Sequence, residues 1–230
     1  MKNQYFGDIN DYRKYGLLRA LADCGRTRIV VCWMLTEDDG GVDGNKTRYL
    51  SEPNRWRRFD PFLFDALRDA VLERNHRDVR VVEAQNLIPS AAYHTDIVTD
   101  HPMSRVTWFD HFLMSAKDSD LVFFDPDNGM EVKSKAKGNS DSRKYVYWDE
   151  IVATYNEGHS LLVYQHFPRR PREAFVQEVE QAILIKVGAR AVHVFRTSHV
   201  AFFLVVRPEH LERLTPLAEA AKTKWRGEIL

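Results

Sequence analysis

Cysteine is scarce in this 230-residue chain, which has only Cys24 and Cys32. Two thiols cannot by themselves build a Cys-rich metal site, and Cys32, set in an apolar run, reads as a buried small hydrophobe. Histidine does not make up the deficit: none of the nine forms a His-x₃-His pair on a plausible helix, so no structural zinc is expected. Long apolar runs are missing as well. None approaches the roughly 20 residues a membrane-spanning helix needs, and residues 1–6 lack the apolar core of a secretory leader. Excess charge of either sign is also absent. With 33 Lys and Arg against 33 Asp and Glu, nothing global draws the chain to a polyanion, and that role falls to local patches. No internal repeat and no convincing linker divides the sequence. These absences point to a reduced, cytoplasmic protein with no membrane partner, folded as one domain over residues 1–230. Hydrophobic residues, at 44%, supply enough apolar surface for a sizeable core.

What the chain does have is an apolar strand ending in a polar turn. Residues 121–124 are Leu, Val, Phe and Phe, preceded by Asp120 and followed by Asp125, Pro126, Asp127, Asn128 and Gly129. A continuous apolar run bounded by turn residues predicts a strand buried on both faces. In open α/β sheets, ligands sit outside the carboxyl ends of such strands. Asp125, Asp127 and Asn128 therefore stand at the mouth of a binding crevice, and Pro126 stiffens the loop as it leaves the sheet. A local alternative stays open: Asp caps turns by accepting backbone amides, and Asn128-Gly129 is a common tight-turn pair.

Hydrophobic periodicity predicts helices over 9–22, 61–74, 105–117, 148–156, 172–187 and 211–222. Strands are predicted over 28–35, 79–82, 121–124, 160–167, 191–195 and 200–206. Residues 36–45, dense in Gly and acids, predict a loop. Residues 133–144, basic and rich in Gly, Ser and Asn, predict a mobile surface loop. The short connection at residues 196–199 makes the last two strands an antiparallel hairpin. Strands alternating with helices give an α/β fold, Rossmann-like, with a mostly parallel sheet, helices on both faces and a C-terminal antiparallel β-hairpin.

That combination resembles class I methyltransferases, and two motifs carry the resemblance further. Asp125-Pro126-Asp127-Asn128 is similar, in place and in its first two residues, to the Asp-Pro-Pro-Tyr turn of adenine-N6 methyltransferases. It departs at the third and fourth, where the family's aromatic stacks on a flipped base. The segment 5–15, from Tyr5 through Gly7, Asp8 and Asp11 to Lys14 and Tyr15, is similar to the opening of two families: the large-subunit rRNA adenine-N6 methyltransferases and the three-Cys-motif partner proteins. Tyr15 stands where those carry His. The resemblance implies an S-adenosylmethionine-dependent methyltransferase-like protein acting on an amino group of RNA or DNA. Asp125, Pro126, Asp127 and Asn128 would face the acceptor. Tyr5, Gly7, Asp8, Asp11 and Lys14 would meet the donor, together with Gly40 and Gly41 in the loop after the first strand and Glu83 after the second.

Further residues are read from their setting. Lys133, Lys135, Arg143 and Lys144 precede Tyr145, Tyr147 and Trp148, a mixture of cations and aromatics that grips phosphates and stacks bases. The same pattern also suits a solvated loop followed by core anchors. Gln165 and His166 end a strand on the edge that carries Asp125, which puts them on the substrate side, and Arg169, Arg170 and Arg172 add a second basic cluster there. Two rival classes remain. Asp125, Asp127, Glu131 and Lys133 echo a Mg²⁺-dependent nuclease, although their spacing leaves no room for the usual hairpin. A non-catalytic Rossmann-like interaction module that has lost donor binding is the other. Asp8 or Asn10 can equally be the cap of the helix over 9–22.

Overall fold

The computed structural model describes residues 1–37 and 44–230. Within them the chain alternates helix and strand: α1 (Ile9–Ala22), β1 (Ile29–Cys32), α2 (Pro61–Arg68), β2 (Ala92–His94), α3 (Pro102–Ala116), β3 (Leu121–Phe124), α4 (Trp148–Asn156), β4 (Ser160–His166), α5 (Arg172–Val187), β5 (Ala191–Arg196), β6 (Val200–Val206) and α6 (Leu211–Lys224). The six strands form one sheet in the order β2-β1-β3-β4-β6-β5. The first four are mutually parallel, and β6 runs antiparallel to both β4 and β5.

Alternation along each strand builds two apolar layers. Ile29 and Val31 of β1, Leu121 and Phe123 of β3, and Phe202 and Leu204 of β6 face one layer, with Leu17, Leu18 and Leu21 of α1, Phe64 of α2 and Ala218 of α6. Val30, Cys32, Val122, Phe124 and Phe203 face the other, with Phe112 of α3, Ile151 of α4 and Ile183 of α5. Helices thus cover both faces, and the strands read as unbroken apolar runs because neither face meets water. Local signals set the helix starts. Asp8 caps α1 by accepting the Asn10 and Asp11 amides, Asp60 caps α2, and Pro61 and Pro102 occupy first turns where no amide is needed.

One predicted strand is wrong. Residues 80–82 belong to a short helix, Arg80–Ala84, with Val79 as its cap, and the second strand lies later, at Ala92–His94. Val79, Val81 and Val82 mimic strand composition but bury one side of a helical turn. Asp78, whose carboxylate accepts the Arg80 amide at 2.9 Å, supplies the helix start. The segment 133–144 is also better held than expected. Asp100 accepts from the amides of Asp141 and Arg143 and from the Ser142 hydroxyl, and Tyr147 donates to the Lys135 carbonyl.

Candidate functional site

In the sheet order, β2 and β3 flank β1 on opposite sides, so the chain leaves β1 in one direction and returns beyond it in the other. A crevice opens at such a switch point, outside the carboxyl ends of the strands. Here it has a volume of about 690 Å³ and is lined by the N-terminal segment, the turn after β3 and the end of β4.

Its floor is a chain of buried ion pairs. The Lys14 ammonium lies 2.7 Å from both Asp11 and Asp125, and all three side chains are almost inaccessible to solvent. Asp11 also accepts from the Tyr15 hydroxyl and the Gly7 amide. Beside them the Met1 α-ammonium pairs with Asp127 at 2.7 Å, and the Thr36 hydroxyl donates to the same carboxylate at 2.9 Å. Burial opposes the charge on Lys14, but Asp11 and Asp125 outweigh it and hold the proton on more tightly than usual. Asp125 is pushed the other way: burial raises its pKa, against the pull of Lys14 and the Met1 ammonium.

Other polar groups of the crevice are uncommitted among the described residues. Asp8 uses one carboxylate oxygen for the Asn10 and Asp11 amides, and its second oxygen has no partner. Burial, then repulsion from Asp11, lift its pKa to about 6, although the two amides and Lys14 resist the rise. Asn10 Oδ1 is buried with no hydrogen bond. The Asn128 backbone is fully engaged, its amide with the Lys144 carbonyl and its carbonyl with the His166 amide and the Gln165 side chain, which leaves its own carboxamide free. Tyr164 projects into the crevice from β4, where burial and the surrounding aspartates hold its phenol protonated far above the usual range.

Tyr5, Asp8, Asp11, Lys14, Asp125, Pro126, Asp127, Asn128, Lys144 and His166 therefore share one cavity. Several other candidates do not reach it. Gly7 lies behind it, at φ +80°, donating to Asp11 and accepting from the Tyr49 hydroxyl; an added Cβ would sit 2.4 Å from Val71. Glu83 is exposed on the short helix, because the strand it was expected to follow does not exist. Gln165 packs beneath Gly129 and bonds the Met130 amide, a supporting role for the turn. Lys133 lines a separate groove of about 490 Å³, while Lys135 and Arg143 turn to Asp141 and Asp100. Gly40 and Gly41 lie outside the described residues. The nuclease set is divided: Glu131 accepts from the Trp148 amide and lines the second groove with Lys133. Among the described residues no group of three His, Cys, Asp or Glu is placed to hold a metal ion.

Sequence reasoning missed Asn10, Lys46 and Tyr164. For Tyr164 the signal was available, since strand alternation puts it on the same face as His166 and opposite to Gln165. Lys46 follows the loop after β1 and carries no motif. No helix among the described residues is long and apolar enough to cross a membrane. Comparison of the sequence with family models and with curated proteins found no match.

Proposed function

We propose that the crevice binds S-adenosylmethionine and that the protein transfers its methyl group to an amino group of a nucleic-acid base. The observation that carries this reading is the uncommitted second carboxylate oxygen of Asp8, a largely buried residue that lines the switch-point crevice. It belongs to the N-terminal element that lines the donor site in the families the chain resembles. The residues present fit the donor. A cavity of this volume suits a small molecule, and an acid penalised by burial regains its charge beside a cationic ammonium or sulfonium. Tyr5 and Tyr164 add aromatic surface. When bound, the donor supplies an electrophilic methyl group.

The chain's own residues divide the remaining work. Asp125 is already paired with Lys14, so it fixes the turn. The proton displaced from the methylated amino group would leave to solvent through the open mouth of the crevice, as the donor is released as its neutral thioether. The free carboxamide of Asn128 accepts an N–H of the incoming amino group and turns its lone pair towards the methyl. Pro126 keeps that turn rigid, and Tyr164 offers a flat surface that the turn itself lacks.

Calorimetric titration with S-adenosylmethionine tests the reading. Micromolar binding is expected, weakened at least about tenfold in Asp8→Asn, which keeps the cap but removes the charge. Below pH about 6, where Asp8 takes up its proton, affinity should fall about tenfold per pH unit. Absence of binding at millimolar donor would overturn the proposal. One observation, the Lys14 ion pair occupying Asp125, favours a second reading as a non-catalytic module. Donor binding without transfer to any RNA or DNA would support that alternative.

A further inference from the structure

Beyond the buried Lys2 and Lys14, the cations around the crevice fall into two sets. Those of residues 133–144 are largely neutralised: Lys137 pairs with Asp149 at 2.7 Å, Lys144 with Asp141 at 2.9 Å and Arg143 with Asp100 at 3.5 Å. At the mouth the situation is the reverse. Lys46, from the segment before α2, and Arg169, just beyond β4, line the cavity beside His166, and neither makes an ion pair among the described residues. Arg172, at the start of α5, covers the Phe167 ring and likewise lacks an acid. The convergence of Lys46 and Arg172 is felt at His199, in the turn between β5 and β6, whose carbonyl accepts from the Phe167 amide. His199 is held below its usual pKa by burial, then by Lys46, Arg172, Arg13 and His166. Arg13 is committed to Glu228, so it does not add to the free charge.

Like charges gathered with no counter-ion among the described residues repel one another, and an anion relieves that repulsion. The acids on the floor forbid the anion from going deep. The crevice is therefore polarised, positive at the rim and rich in carboxylates and amide oxygens below. A nucleotide has this polarity, with its phosphate outermost and an amino-bearing base that can turn inward once unstacked.

We propose that Lys46 and Arg169, with His166 beside them, form a phosphate subsite that holds the backbone of a single-stranded nucleic acid while one base enters the crevice. The entry of a base rests on the methyltransferase reading; the phosphate subsite does not.

Fluorescence anisotropy with a labelled single-stranded RNA of about 12 nucleotides, at about 50 to 200 mM salt, provides the test. The Lys46→Ala/Arg169→Ala double variant should bind about tenfold or more weakly, with a log–log salt slope shallower by about 0.7 per lost contact. Lys135→Ala, which removes a cation already facing Asp141, should change affinity by less than about twofold. The double variant should keep its S-adenosylmethionine affinity by calorimetry, which also shows that it is folded. Wild-type-like RNA binding by the double variant would overturn the subsite. So would weakened donor binding with RNA binding intact, since the cations would then serve the donor. A mononucleotide that binds as tightly as the strand would reassign the subsite to a free nucleotide and overturn the strand proposal. RNA binding that depends on both residues, with no donor binding in the wild type, would retain the subsite and remove the methyltransferase reading.

Discussion

Asp8 caps α1 with one oxygen and leaves the other in the crevice, so its charge is useful to a ligand and costly without one. Its pKa rises from 3.8 to about 6 on folding, and the folded protein therefore holds this proton more tightly than the unfolded chain. Between pH about 4 and about 6 the folded state binds more protons, and stability must fall as pH rises through that window. At about 1.4 kcal/mol per pKa unit, the ionised group costs about 3 kcal/mol above pH 6. Asp8→Asn should be as stable as wild type near pH 4 and more stable by up to about that amount at pH 7.5, as urea unfolding at the two pH values will measure. Equal stabilities at both would show that the Asp8 ion is not penalised. The sequence made the cap legible, because Asp before a helical run is a start signal. It could not show that Lys14 would spend itself on Asp125, since the two stand 111 residues apart.

Packing of α1 on α6 turns on a single missing atom. A Cβ at Gly16 would lie 1.9 Å from the Trp225 ring, which is stacked on Phe59 at 5.2 Å and cannot slide away freely. Gly16→Ala gains about 1 kcal/mol of helix propensity but overpacks a buried ring, a cost of about 1–3 kcal/mol or more. Net destabilisation is expected in denaturant unfolding, and a Trp225→Phe background should reduce it; an additive double variant would show that the ring is not the obstacle. At this scale the long periodic elements were readable to within a few residues, as α1, α4, α5 and β6 illustrate. The failures were short elements. Ala92–His94 offers only three residues, too few for alternation to register, and the Val-rich turn at Arg80–Ala84 borrowed strand composition. Asp78 before that turn and Asn86 after it, at φ 46°, were the helix punctuation that should have decided the matter.

Both apolar layers share one sheet, so neither can lose its packing without exposing the strands to water on that side. Trp33, Trp56 and Trp225 report on the α1 layer, and Trp108 and the partly buried Trp148 on the α3 layer. Tryptophan fluorescence and far-ultraviolet circular dichroism should therefore trace the same urea transition in the wild type, and a Trp108→Phe/Trp148→Phe double variant, which leaves fluorescence to the α1 layer, should keep the two coincident. Separated midpoints would mean that the layers unfold independently. The layered architecture was legible because strand and helix periods alternate along the chain. The cavity's polarity was not, because it depends on which cations find acids after folding: among the described residues Lys144 and Arg143 do, and Lys46 and Arg169 do not. The floor of the crevice also has a consequence in time. It is closed by Lys14 gripping Asp125, and its wall needs Tyr164 and His166. On a ribosome, the site as a whole cannot be complete until most of the chain has been made. Lys14 can meet Asp11 as soon as α1 forms, but Asp125 arrives 111 residues later.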